Sequence, residues 1–116
     1  MDKDTRPPGK TTVAPDVLVE IARMAALKVE GVSNMAPVAG GVNRLFKRGI
    51  VDGVRISIED EIVYADLYII LKNDVNIRDT SRTVQQKVTR TITEMVGMDV
   101  AEVNIHIENI AYPEEA

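Results

Sequence analysis

The chain has 116 residues, 45% hydrophobic and 28% charged, which suits one soluble globular domain and is too short for two. A formal net charge of −4 argues against a general nucleic-acid binder, and the absence of cysteine excludes disulfides and cysteine-based zinc sites. No apolar run approaches the ~20 residues that a membrane-spanning helix requires, so any membrane association is peripheral or through a partner.

Residues 1–10 are polar, carry Pro7, Pro8 and Gly9, and read as a disordered leader rather than a signal peptide. Thr11–Ala14 is a candidate short strand. Pro15 then suits the first helical position, and Asp16 the positive end of a helix dipole. Leu18, Ile21, Ala22, Ala25 and Val29 recur at helical spacing and form one apolar stripe, with Gly31 as the stop.

The stretch from Ser33 to Asp52 lacks clear periodicity, holds Pro37, Gly40, Gly41 and Gly49, and reads as a long mobile basic loop (33–52). Val54, Ile56 and Ile58 alternate with Arg55, Ser57 and Glu59, the pattern of a half-buried strand. A polar turn at Glu59–Glu61 leads into the longest strand, Ile62 to Leu71. Its residues Val63, Ala65, Leu67, Ile69 and Leu71 are predicted to face the helices, and Ile62, Tyr64, Asp66, Tyr68 and Ile70 to face away.

After a turn at Asn73–Asn76, a second helix is predicted from Ile77 or Arg78 to Val96. Val84, Val88, Ile92 and Met95 form its buried stripe, and Gly97 ends it. A last strand presents Val103, Ile105 and Ile107 to the core, and residues 111–116 form an acidic tail. The order (β)-α-β-β-α-β predicts an α+β two-layer sandwich over residues 11–110. Its small, mainly antiparallel sheet carries two helices on one face, and the other face stays open. A right-handed crossover lets the closing strand lie beside either hairpin strand.

The open face is the first candidate site. It gathers Ile62, Tyr64, Tyr68 and Ile70 with Arg55, Asn104 and His106, whereas a solvated sheet face is normally polar; exposed apolar patches of this kind mark partner surfaces. The competing reading is that the leader or the long loop folds back over it. Asp66 is placed to pair with Arg55 across the hairpin. His106 is the single histidine, with no second metal ligand and no Ser or Cys beside it, so a solvent-facing strand residue is the default.

Two basic features follow. Arg78, Arg82 and Arg90, with Gln86 between them, lie on the second helix opposite Val84, Val88 and Ile92, where they either meet an anionic partner or form a solvated face. In the loop, Arg44, Lys47 and Arg48 flank Leu45 and Phe46, a composition suited to a membrane interface or to docking. Gly40-Gly41 is not a phosphate loop, because no Gly-Lys-Ser/Thr follows. No catalytic, cofactor-binding or metal-binding group is expected.

The chain resembles the bacterial alkaline shock protein family, also described as envelope stress response proteins. The likeness rests on Val13-Ala14-Pro15-Asp16-Val17-Leu18, Ile21-Ala22, Val29-Glu30-Gly31-Val32 and Gly40-Gly41 in the first half. In the second half it rests on Gly53-Val54, Asp66-Leu67-Tyr68-Ile69, Val84-Gln85-Gln86-Lys87-Val88, Met95-Val96-Gly97-Met98 and Val100-Ala101-Glu102-Val103-Asn104-Ile105. The chain departs from the pattern at Asn73-Asp74, where a Tyr-Gly type turn is usual, and at Val96, where Thr is common. The resemblance implies a non-enzymatic cytoplasmic protein that self-associates, collects at the inner face of the membrane through a small membrane-anchored partner, and serves envelope homeostasis. It brings no catalytic residue, cofactor or small-molecule substrate.

Two other classes compete. The α-β-β-α-β order is close to KH-type RNA-binding domains, but these clamp the nucleic-acid backbone with a G-x-x-G loop that is absent here. An enzyme needs convergent titratable groups, and the chain offers scattered carboxylates and one histidine.

Overall fold

The computed structural model describes residues 9, 11–37, 50, 51 and 53–112. Helix α1 spans Pro15–Leu27, followed by strands β1 (Val32–Met35), β2 (Ile50–Val51), β3 (Val54–Glu59) and β4 (Ile62–Lys72), helix α2 (Ile77–Val96) and strand β5 (Asp99–Ala111). Together they make the expected α+β two-layer fold, with helices over one face of a five-stranded sheet.

Pro15 occupies the first turn of α1 and Asp16 adds a carboxylate to its N-terminus. The helix ends at Leu27, earlier than the Gly31 stop expected. Lys28 is the cap, and Gly31, at φ +107, belongs to the turn into β1. Thr11–Ala14 forms no strand. Ala14 is already the N-cap of α1, and Pro15 has no N–H to continue a ladder, though Val13 still packs against the core.

The start of α2 is secured by Asn76, whose side-chain oxygen accepts the N–H of Asp79 at 2.9 Å. Gly97 closes the helix in the left-handed conformation, φ +81. Replacing Asn76 by alanine orphans that N–H and is expected to lower stability by about 1 kcal/mol, or roughly 4–8 °C in thermal midpoint. Calorimetry checks it; an unchanged midpoint refutes the cap's contribution. Met95, expected in the buried stripe, is 63% exposed instead, because the helix side facing the sheet is completed by Thr80, Val84, Val88 and Ile92.

Strand β4 organises the sheet. Val63, Ala65, Leu67, Ile69 and Leu71 are all fully buried toward the helices, while Ile62, Tyr64, Asp66, Tyr68 and Ile70 are half-buried on the other side. β3 pairs with Ile62–Leu67 of β4, and β1 with Ile69–Leu71, both antiparallel, so these two strands share one edge of β4 end to end. They meet at Tyr68, whose N–H donates to Gly53 O and whose carbonyl accepts from Ala36 N, each at 2.8 Å. β5 takes the other edge, running parallel to β4 along its length, with α2 as the crossover. That settles which hairpin strand the closing strand joins.

β1 was hidden inside the expected 33–52 connection: Ser33–Met35 lie in β1 and Ile50–Val51 form β2 against the outer side of β3. The expected disordered leader (apart from Gly9), the turn at 42–47, the Arg44–Arg48 cluster and the tail beyond Tyr112 lie outside the described residues. Among the described residues, no helix is long and apolar enough to cross a membrane.

Candidate functional site: the uncovered sheet face

The even-numbered residues of β4 form the spine of the sheet face that, among the described residues, no other element covers: the uncovered face. Cross-strand register sets their neighbours: Arg55 and Asn104 flank Asp66, Ser57 and Glu102 flank Tyr64, and His106 stands beside Tyr68. Asn34 of β1 stands beside Ile70. The flanks on β3 (Arg55, Ser57, Glu59) are exposed and polar. The spine itself carries Ile62, Tyr64, Tyr68 and Ile70, with Asp66 at its middle.

A polar cluster divides this spine. His106 Nε2 lies 3.2 Å from Asp66 Oδ1, and the Asn104 side-chain amide donates to the same oxygen at 3.2 Å and to Glu102 Oε1 at 3.3 Å. The imidazole stacks on the Tyr68 ring with centroids 4.5 Å apart and planes 13° from parallel, a direct result of their shared register position. The side chains of His106 and Asp66 are 42% and 31% exposed, so the pair is screened by solvent and contributes about 1 kcal/mol or less. On either side of the cluster lie two apolar pairs: Ile62 with Tyr64, and Tyr68 with Ile70.

Two sequence expectations change here. The Asp66 carboxylate oxygen bonds to His106 and Asn104 on the opposite neighbour rather than to Arg55, although Arg55 holds the register position expected. His106 is not simply solvent-facing, because Tyr68 covers one side of its ring. Among the described residues, no group of three or more His, Cys, Asp and Glu could hold a metal ion.

Arg78, Arg82 and Arg90 are exposed on α2, on the side away from Val84, Val88 and Ile92, as their spacing predicted. Arg90 and Gln86 share a shallow groove with Gln85 and Thr89. Gln85 reaches from this groove to β5 and donates to the Val103 carbonyl at 2.9 Å. Arg44, Leu45, Phe46, Lys47 and Arg48 lie outside the described residues.

Sequence reading missed one feature. Val17, Met24 and Leu27 form a second apolar row on α1, between 36% and 47% exposed. The signal was present: Asp16, Glu20 and Arg23 are the only charged residues in a thirteen-residue helix whose other positions are Pro and apolar residues.

The fold resembles that of solved MamM CTD structures. One matches with a TM-score of 0.50 at 13% identity, over 81% of this chain and 95% of that one; another, in a nickel form, matches with a TM-score of 0.50 at 11% identity, over 81% and 96%. At such identity the likeness extends to the fold alone. Among curated sequences, the uncharacterized protein YqhY of Bacillus subtilis (strain 168) is 31% identical over 118 residues, covering 100% of this chain and 87% of YqhY. The uncharacterized protein YloU of the same organism is 27% identical, over 88% of each chain. The model of the alkaline shock protein 23 family, described by a cell envelope-related function, matches residues 3–112, and this chain belongs to that family.

Proposed function

We propose that this protein is a non-enzymatic, self-associating scaffold of the bacterial cytoplasm. It serves envelope-stress homeostasis and is recruited to the inner face of the membrane by a small anchored partner. The observation that carries the reading is the outer face of β4, where Ile62, Tyr64, Tyr68 and Ile70 remain half-buried and, among the described residues, no second layer lies over them. A neighbouring copy covers such a surface at a gain of about 25 cal/mol for each Å² of apolar area newly removed from water, a fraction of the full burial value because these side chains are already half-buried. His106 and Asp66, in the middle of the patch, fix the orientation of the incoming surface through directional bonds. Arg78, Arg82 and Arg90, together with the Arg44–Arg48 segment, are the surfaces we assign to the anchored partner or to anionic headgroups.

Sedimentation velocity at two protein concentrations tests the first part. Tyr68→Glu and Ile70→Glu are each expected to weaken self-association by about tenfold or more while the monomer stays folded, since both side chains sit on the uncovered face. Met95→Glu, on the exposed end of α2, serves as the control and should leave the distribution unaltered. Unchanged sedimentation of both sheet-face variants refutes this surface.

A further inference from the structure

β5 pairs with β4 on one side only; among the described residues no strand lies along its other side. Tyr68 directs its backbone N–H and C=O toward β1 and β3. Strand alternation therefore turns the odd-numbered groups of β4 toward β5, where Leu67 meets the residues flanking Ile105. Asn104 and His106 thus bond inward, while Val103, Ile105 and Ile107 present their backbone groups outward. The bond from Gln85 to the Val103 carbonyl agrees with this direction. Register shifts between β4 and β5 leave Ala101 and Glu108 as extra residues, so the regular outward-facing run is residues 102–107.

Charge decides what fits this run. Strand β5 contains Asp99, Glu102 and Glu108 and no Lys or Arg. Antiparallel pairing of two copies of residues 102–107 brings Glu102 of one copy opposite or diagonal to Glu108 of the other, which is unfavourable. On the helix side, Ile105 and Ile107 are only half-buried and Arg90 lies in the groove beside Gln85, so that side accepts apolar groups and not cations.

We propose that the outer side of β5 is a docking site for an extended segment of another protein, alternating apolar residues with Lys or Arg. The segment adds a sixth strand to the sheet. Its backbone pairs with Ile105 and Ile107, its apolar side chains cover those two residues toward α2, and its cations lie against Glu102 and Glu108. This surface is distinct from the uncovered face assigned above to self-association.

The test uses the full chain and synthetic octapeptides at low salt, followed by calorimetry and amide chemical shifts. An octapeptide alternating Val and Lys is expected to bind at least about tenfold more tightly than one alternating Val and Glu, or than a Val–Lys peptide interrupted by prolines, with shifts concentrated in residues 102–107. Ile105→Pro removes an outward N–H without touching the β4 ladder and should abolish binding. Glu102→Lys with Glu108→Lys, a surface change independent of that proline, should reverse the preference toward the Val–Glu peptide. Equal binding of the proline-interrupted peptide, an unchanged preference in the charge-reversed protein, or shifts elsewhere on the surface would overturn the proposal.

Discussion

Replacing Gly53 by alanine is expected to cost about 3 kcal/mol, lowering the thermal midpoint by roughly 12–24 °C. Gly53 is buried and adopts φ +80, a region that side chains with a Cβ enter only with strain. The added methyl would also sit 2.5 Å from Met35 Cβ and 3.0 Å from the Tyr68 carbonyl oxygen, both closer than unforced contact allows. Met35 Cε, also at 3.0 Å, is a flexible end that can swing away, but the contacts with the Met35 Cβ and the Tyr68 backbone cannot be relieved in that way. Moving either strand breaks the junction at Tyr68 through which β1 and β3 reach β4. Shortening Met35 to alanine removes the Cε contact but leaves the Cβ in place, so the double variant Gly53→Ala, Met35→Ala should recover at most a minor part of the loss. Denaturant unfolding measures the loss, and a midpoint equal to that of the parent refutes the close approach.

The second large effect belongs to Leu67. Leu67→Ala is expected to destabilise the fold by about 2–5 kcal/mol, through lost burial and the cavity left behind. Leu67 is fully buried on the central strand, with Val54 and Ile105 at its register positions on either side. Few groups can move in to fill the space, because the strands on both flanks are held by backbone ladders. Its neighbour Tyr68 points to the opposite face, so Tyr68→Glu should change association and leave stability within about 1 kcal/mol. The two adjacent substitutions thus separate the core from the uncovered face. Equal stability losses at both positions would contradict the division between faces.

Periodicity carried much of the fold. The alternation assigned every residue from Ile62 to Leu71 to its observed side, because period two leaves no freedom once one face is buried. The α2 boundaries followed from the end of the Asn73–Asn76 turn and from Gly97; the structure adds that Asn76 itself caps the helix. β1 escaped notice for a physical reason. It has four residues with an outer–inner pattern of buried, exposed, exposed, buried, produced by a bulge at Ser33 that breaks alternation. The Asp66 partner was misjudged because the hairpin register names Arg55 as a neighbour, whereas the neighbour on the far side depended on where the closing strand lay. Pairwise proximity across a hairpin is legible locally; pairing across a crossover is not.

The parallel placement of β5 also has a consequence for biosynthesis. The β4 groups that bond to β5 have no partner strand until the chain has passed through α2 and the last strand has left the ribosome. A nascent chain halted before that point displays an unsatisfied hydrogen-bonding row next to Leu67, Ile69 and Leu71, the composition that chaperones and proteases act upon. Translation arrest after Gly97 is therefore expected to yield material cleared or aggregated in the cell rather than a smaller working domain.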